Sequence, residues 1–188
     1  MGRALRGVVT GMGCLTVIGI GVVFVVLIVV VVALSSGGGA GSGDGGEEVK
    51  PQNQKGVAIG KPVEVGEVQW VVENAKQATT LTSSYDKPAE GNFVVVNFGF
   101  TNNGTEAATL DTASIALYDS KGRKSEVDTD KTSYIPSNLD IFLENVNPGV
   151  AKKGQVIFSV APDASGLKLQ VGDTEMMSDK NGYVDLGF

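Results

Sequence analysis

Hydrophobic and polar positions along this chain fall into three regimes. Residues 15–34 are apolar almost without exception, residues 35–54 carry few apolar side chains, and from Val57 onward apolar and polar positions alternate in short runs. At about 1.5 Å of helical rise per residue, the first regime is long enough to cross the roughly 30 Å hydrocarbon core of a bilayer. Eight of the residues 22–32 are valine, which favours strands in water. Lipid offers a strand edge no partner, so the run predicts a helix that satisfies its own amides. We read 8–34 as a transmembrane anchor. Arg3 and Arg6 precede it, whereas the first charges beyond it are Asp44, Glu47 and Glu48. The positive-inside rule then puts residues 1–7 in the cytoplasm and the C-terminal part outside. A cleaved signal peptide is the alternative, because Ala33-Leu34-Ser35 resembles a small-residue cleavage site and would release a secreted chain near Ser35. The apolar run exceeds the ~7–15 residues usual for a signal peptide, which favours the anchor.

The second regime begins Ser-Ser-Gly-Gly-Gly-Ala-Gly-Ser-Gly-Asp-Gly-Gly at Ser35. Such a composition buries no apolar surface, so 35–56 is expected to be a flexible linker with a reach of ~5–6 Å × √n. Gly41, Gly43 and Gly46 match G-x-G-x-x-G, but no strand precedes them and no helix follows.

In the third regime the period is two. Val68, Trp70 and Val72 alternate with Gln69, Val71 and Glu73, and Val94, Val96, Phe98 and Phe100 alternate with Val95, Asn97, Gly99 and Thr101. The same signature recurs at Ile115/Leu117, Val156/Phe158/Val160 and Leu167/Leu169/Val171. Turn residues separate the runs at Asn102-Asn103-Gly104, Ser120-Lys121-Gly122, Asn147-Pro148-Gly149, Gly172-Asp173 and Asn181-Gly182. Short one-face-buried strands of this kind predict an all-β domain over 57–188, an antiparallel β-sandwich with a barrel as the alternative. At the inward period Trp70 reads as the core tryptophan; a ligand-stacking platform is the competing role.

Charge narrows the partners. All 21 acidic residues lie from Asp44 onward with 13 of the 15 basic ones, a net charge of −8 that disfavours DNA or RNA. Cys14, the single cysteine, falls in the anchor, so no disulfide can brace the outer domain.

The stretch Gly91-Asn92-Phe93-Val94-Val95-Val96-Asn97-Phe98-Gly99-Phe100-Thr101-Asn102-Asn103-Gly104 resembles the hallmark strand of a bacterial and phage extracytoplasmic domain-of-unknown-function family. Further matching pieces are Val68 to Val72 with Trp70, the hairpin Leu117-Tyr118-Asp119-Ser120-Lys121-Gly122, and Asn147-Pro148-Gly149 leading to Gly154-Gln155-Val156-Ile157-Phe158-Ser159-Val160-Ala161-Pro162. That family is related to the mycobacterial immunoprotective extracellular protein, and its members are sometimes mislabelled telomeric repeat-binding factor. The resemblance implies an immunoglobulin-like sandwich on the surface of Gram-positive bacteria or encoded by their phages, and it carries over no catalytic residue. Its members often use a lipid-anchored cysteine; here a helix takes that place.

Histidine is absent, which removes the commonest general base and zinc ligand. No G-x-S-x-G elbow or Walker loop occurs. Asp128, Asp130 and Asp140 lie in the least repetitive stretch and could form a calcium site or an acid–base pair, although calcium needs six or more oxygens. A solvated acidic loop accounts for them more simply. The segment from Asp179 to Asp185 lacks EF-hand spacing and reads as an Asn-Gly turn before a last strand. Tyr134, Ile135, Pro136, Leu139, Ile141 and Phe142 form the one irregular apolar stretch, and they are the candidate partner-binding residues unless they tuck under the sandwich.

The chain is therefore expected to be a non-enzymatic extracytoplasmic interaction module on a single-pass anchor, without cofactor or metal. Its partner would be a protein or an envelope polymer, and a phage-encoded copy could interfere with superinfection. An envelope hydrolase working through carboxylates is the other class.

Protease added outside intact membranes should remove the C-terminal domain and leave the anchor in the bilayer. Recovery of a soluble chain beginning near Ser36 would contradict the anchor and establish cleavage.

Overall fold

The computed structural model describes residues 51–175 and 178–188. The expected cytoplasmic segment 1–7, the anchor 8–34 and the linker as far as residue 50 lie outside them. Among the described residues no helix is long and apolar enough to cross a membrane.

The strands in chain order are β1 (Val57–Ala58), β2 (Pro62–Val65), β3 (Val68–Leu81), β4 (Ala89–Asn102), β5 (Ala108–Thr109), β6 (Ile115–Tyr118), β7 (Lys124–Glu126), β8 (Asn145–Val146), β9 (Ala151–Ser159), β10 (Lys168–Gly172) and β11 (Asn181–Asp185). They build a four-stranded sheet in the order β2-β3-β4-β9, a five-stranded sheet in the order β1-β11-β10-β6-β7, and a small β5-β8 ladder. The two larger sheets enclose one core, so the domain is an all-β sandwich. The period-two readings hold inside it. Val68, Trp70, Val72, Val94, Val96, Phe98, Phe100, Val156 and Phe158 point inward from the four-stranded sheet, and Ile115, Leu117, Leu169, Val171 and Val184 meet them from the other.

Three local readings are corrected. The sandwich is not wholly antiparallel, because β1 joins the outer side of β11 in parallel, Val57 opposite Val184. Residues 51–56, assigned to the linker by composition, include a 3-10 turn at Pro51–Asn53 and the start of the docked chain. The Asn181-Gly182 pair is not a turn but the opening of β11, opposite Gly172 and Val171. Close approach explains this glycine: a Cβ there would lie 2.1 Å from Val63 Cγ1 on the opposite sheet. Asn-Gly is a local turn signal, and packing between sheets overrode it.

β3 and β4 pair over most of their length, with irregularities between Val72 and Asn74 and between Ala78 and Thr80. Their far halves carry a second cluster on the outer face, made of Leu81, Phe93, Val95 and Ile157. The exposed edges are blunted. β2 opens with proline, β1 and β7 are short, and β9 is covered by the 128–139 segment, where Asp128 N donates to Ile157 O at 2.8 Å and Gln155 N to Leu139 O at 2.9 Å.

Gly182→Ala should destabilise the fold by about 1–3 kcal/mol through overpacking. Adding Val63→Ala should return part of that loss. Denaturant unfolding followed by Trp70 emission measures both, and an unchanged midpoint for the single variant would contradict the tight approach of β11 to β2.

Candidate functional site

Ladder register decides which side chains share the solvent face of the five-stranded sheet. Gln170 stands between Tyr183 and Ala116, and Lys168 between Asp185 and Tyr118. Because their chain neighbours Leu117, Leu169, Val171 and Val184 point into the core, Tyr118, Gln170 and Tyr183 point out. Two walls rise beside them, the Pro51–Asn53 turn and the 120–122 turn that joins β6 to β7. Floor and walls bound a trough of about 640 Å³. That volume lies within the ~300–1,000 Å³ typical of small-molecule sites.

Specific bonds hold each wall. Lys168 Nζ donates to the carbonyls of Gln52, at 3.2 Å, and of Gln54, and it lies 3.4 Å from Asp185 Oδ1. Gln52 Nε2 in turn donates to Asp119 O at 3.3 Å, tying one wall to the other. Gly122 turns the second wall at φ +84°, a conformation costly for a side chain with a Cβ. The buried Asp119 carboxylate accepts from the backbone N–H groups of Lys121 and Arg123, each at 2.9 Å, and from the Arg123 guanidinium. Burial alone would raise the Asp119 pKa. The Arg123 and Lys121 hydrogen bonds outweigh it and hold the group below the ordinary 3.8. Outside this turn, Asp163 bonds the ammonium of Lys121 and meets Arg123 Nη1 at 2.9 Å. Those hydrogen bonds, Lys121 first, lower Asp163 to about 2.

The floor is polar and neutral. Gln170 Nε2 donates to Asn181 Oδ1 at 2.8 Å, leaving the Gln170 carbonyl directed to the trough's chemistry. Neither the Tyr118 nor the Tyr183 hydroxyl bonds a protein group among the described residues, and no buried side-chain polar atom there lacks a partner. Burial, with nearby Tyr118 adding to it, raises Tyr183 above 10.0, so its phenol stays protonated at neutral pH.

The apolar segment singled out in the sequence lies elsewhere. Tyr134 and Ile135 pack on the cluster of Leu81, Phe93, Val95 and Ile157 across the outer face of the four-stranded sheet. Tyr134 also donates to Lys87 O at 2.6 Å, stapling the segment to the β3–β4 hairpin. Ile141 is buried in the main core, Phe142 packs on it with its ring 6.5 Å from Phe98, Leu139 is half-buried and Pro136 is exposed. The next residue, Leu143, is 75 % exposed and held at φ +60°. That left-handed backbone is costly for a leucine.

Among the described residues no three His, Cys, Asp or Glu side chains form a group able to hold a metal ion. Asp128 accepts from Ser159 Oγ and lies 3.9 Å from Lys131 Nζ. Trp70 is a core residue, with 1 % of its surface exposed. The trough itself was not foreseen. Its one sequence signal is a tyrosine at an outward position of two different strands.

The family described as "Domain of unknown function (DUF4352)" matches residues 57–182. No curated protein matches the chain. Among solved structures, the yjhA protein from Bacillus subtilis is similar at 12% identity and a TM-score of 0.52, over 69% of this chain and 98% of that one. A functionally unknown protein from Listeria monocytogenes is similar at 15% identity and a TM-score of 0.50, over 66% of this chain and 80% of that one. The secreted protein MPT63 from Mycobacterium tuberculosis aligns at 10% identity and a TM-score of 0.49, over 70% of this chain and 98% of that one. The first two likenesses concern the fold.

Asp119 and Asp163 titrate lower in the folded chain than at the ordinary 3.8, so the folded chain binds fewer protons. The stability they contribute is therefore complete above that value and is lost as pH falls through it toward the folded values, about 2 for Asp163. Acid unfolding followed by Trp70 emission should show this loss, and Asp119→Asn should flatten it. Identical acid limbs for the two chains would contradict the role given to the Asp119 network.

Proposed function

This chain belongs to the DUF4352 family of domains of unknown function, and from that premise we propose that it is a non-enzymatic interaction module held outside the membrane. The single-pass anchor and the Gly/Ser linker place the sandwich at a distance from the bilayer, and the outer face of the five-stranded sheet meets the partner. One observation carries this reading: that face holds a walled, polar trough lined by Tyr118, Tyr183, Gln170 and Asn181. On a phage-encoded chain the same module would act by occupying a surface component that a competing phage requires.

A carboxylate-dependent envelope hydrolase has less support. A glycosidase needs two carboxyl groups facing each other at ~5–9.5 Å across a substrate cleft. Asp128 instead bonds Ser159 on the edge of β9 and lies 3.9 Å from Lys131 Nζ, so its carboxylate is held by a hydroxyl and an ammonium.

A second reading keeps the partner at residues 134–142, and Leu143 favours it. An exposed leucine held in a left-handed backbone suits a contact point, because backbone strain of this kind clusters at functional sites.

Photo-crosslinking in intact cells separates these readings. With the crosslinker at Tyr183 of the full-length chain, a discrete adduct is expected, and Asp128→Asn/Asp130→Asn/Asp140→Asn should leave its yield unchanged. An adduct formed only from position 143 would move the contact to the second surface. Loss of the adduct on the carboxylate changes alone, with the fold intact, would favour the hydrolase.

A further inference from the structure

We infer that the trough on the outer face of the five-stranded sheet is a binding site for a neutral, hydroxyl-rich glycan. The inference rests on the interaction-module reading above and names its ligand class.

Charge at the trough points to an uncharged ligand. Among the described residues every basic side chain at the trough is engaged: Lys121 by Asp163, and Lys168 by Asp185 and the carbonyls of Gln52 and Gln54. Beside it on β7, Lys124 pairs with Glu126 at 3.1 Å. A polyanion such as a phosphate-bearing wall polymer would find no unpaired cation there among the described residues and would face a chain of net charge −6. A cationic ligand would have to displace lysines from their carboxylates.

The floor chemistry then selects among neutral ligands. Gln170 Nε2 donates to Asn181 Oδ1 and Asn181 Nδ2 to Asp179 O at 2.9 Å, which holds both amides in place and leaves the Gln170 carbonyl and the second N–H of each amide for neighbouring sugar hydroxyls. Tyr118 and Tyr183 each add a hydroxyl that donates and accepts, on a ring whose face can carry the C–H side of a pyranose. Both rings are half-buried, so they enter the site with part of their rotamer freedom already lost. An apolar lipid or peptide side chain would leave these polar groups desolvated without partners, at a cost a glycan avoids. Ala116 lies under the polar side chains rather than in the trough. It stands at an outward register position opposite Gln170 yet is 3 % exposed, so its longer neighbours overhang it.

The test uses the full-length chain in lipid nanodiscs and isothermal titration with four neutral probes, namely cellotetraose, maltotetraose, mannotetraose and chitotetraose. Dextran sulfate and an unstructured neutral peptide serve as controls. At least one neutral tetrasaccharide should bind. Tyr118→Ala and Tyr183→Ala should each weaken it about tenfold or more, the scale of losing one stacked ring with its hydroxyl. Tyr118→Phe and Tyr183→Phe, which keep the packing, should weaken it less, and Tyr85→Ala on the far hairpin should change nothing. Binding of dextran sulfate or the peptide but of no neutral sugar would overturn the glycan assignment while leaving an interaction module in place. Equal affinity in all tyrosine variants would overturn the site. Mass spectrometry of the recovered sugar distinguishes the other failure, since a shortened product would contradict the non-enzymatic reading with the trough still the binding site.

Discussion

The indole N–H of Trp70, on β3 of one sheet, donates at 3.0 Å to the backbone carbonyl of Gly172, on β10 of the other. The two residues are 102 positions apart, and the bond is buried. Around it the Trp70 ring lies 5.3 Å from Phe98 and 5.0 Å from Phe100, so the largest side chain of the core is fixed by stacking on its own sheet and by a polar bond to the opposite one. No disulfide can perform that task here, because Cys14 is the single cysteine and lies far from the domain in sequence. The sandwich depends on a hydrophobic core whose tryptophan N–H is satisfied across the layers.

The position of the candidate site follows from that clamp. Gly172 ends β10, the strand that carries Lys168 and Gln170, and β10 is flanked by β11 and β6, which carry Tyr183 and Tyr118. Fixing β10 against Trp70 fixes the middle of the trough. Two residues beyond Phe100, the partner of Trp70 on β4, buried Asn102 does a similar job for the loops. Its side chain donates to Glu106 O at 2.7 Å and Val146 O at 2.8 Å and accepts from Gly104 N at 2.8 Å. Asn102 O also accepts from Gly149 N at 2.8 Å, so one asparagine gathers the loop after β4, strand β8 and the turn at Gly149 around the end of β4.

Where burial on one face governed the chain, the sequence was legible. The inward residues of β3, β4, β9 and β10 were readable from period two, and Trp70 from its place in that period. Asn102-Asn103-Gly104 was read as a turn, but the burial of Asn102 depends on carbonyls up to 44 residues away. Asn181-Gly182 was misread because the contact with Val63 joins strands distant in the chain. Val95 looked like an outward residue, and it is buried because Tyr134 and Ile135 cover it. The trough stayed hidden for a related reason. Tyr118, Gln170 and Tyr183 are unremarkable polar positions until register sets three strands side by side, and strand order is a long-range property.

Hydrogen exchange of the Trp70 indole N–H tests the clamp most directly, and the single tryptophan makes its NMR signal unambiguous. If the Trp70–Gly172 bond joins the sheets into one cooperative body, this proton should exchange as slowly as the most protected backbone amides of β4, through global unfolding alone. Exchange of the indole proton within minutes, while the β4 amides remain protected, would mean that the sheets separate locally. It would contradict the account of a rigid outer face built on that bond.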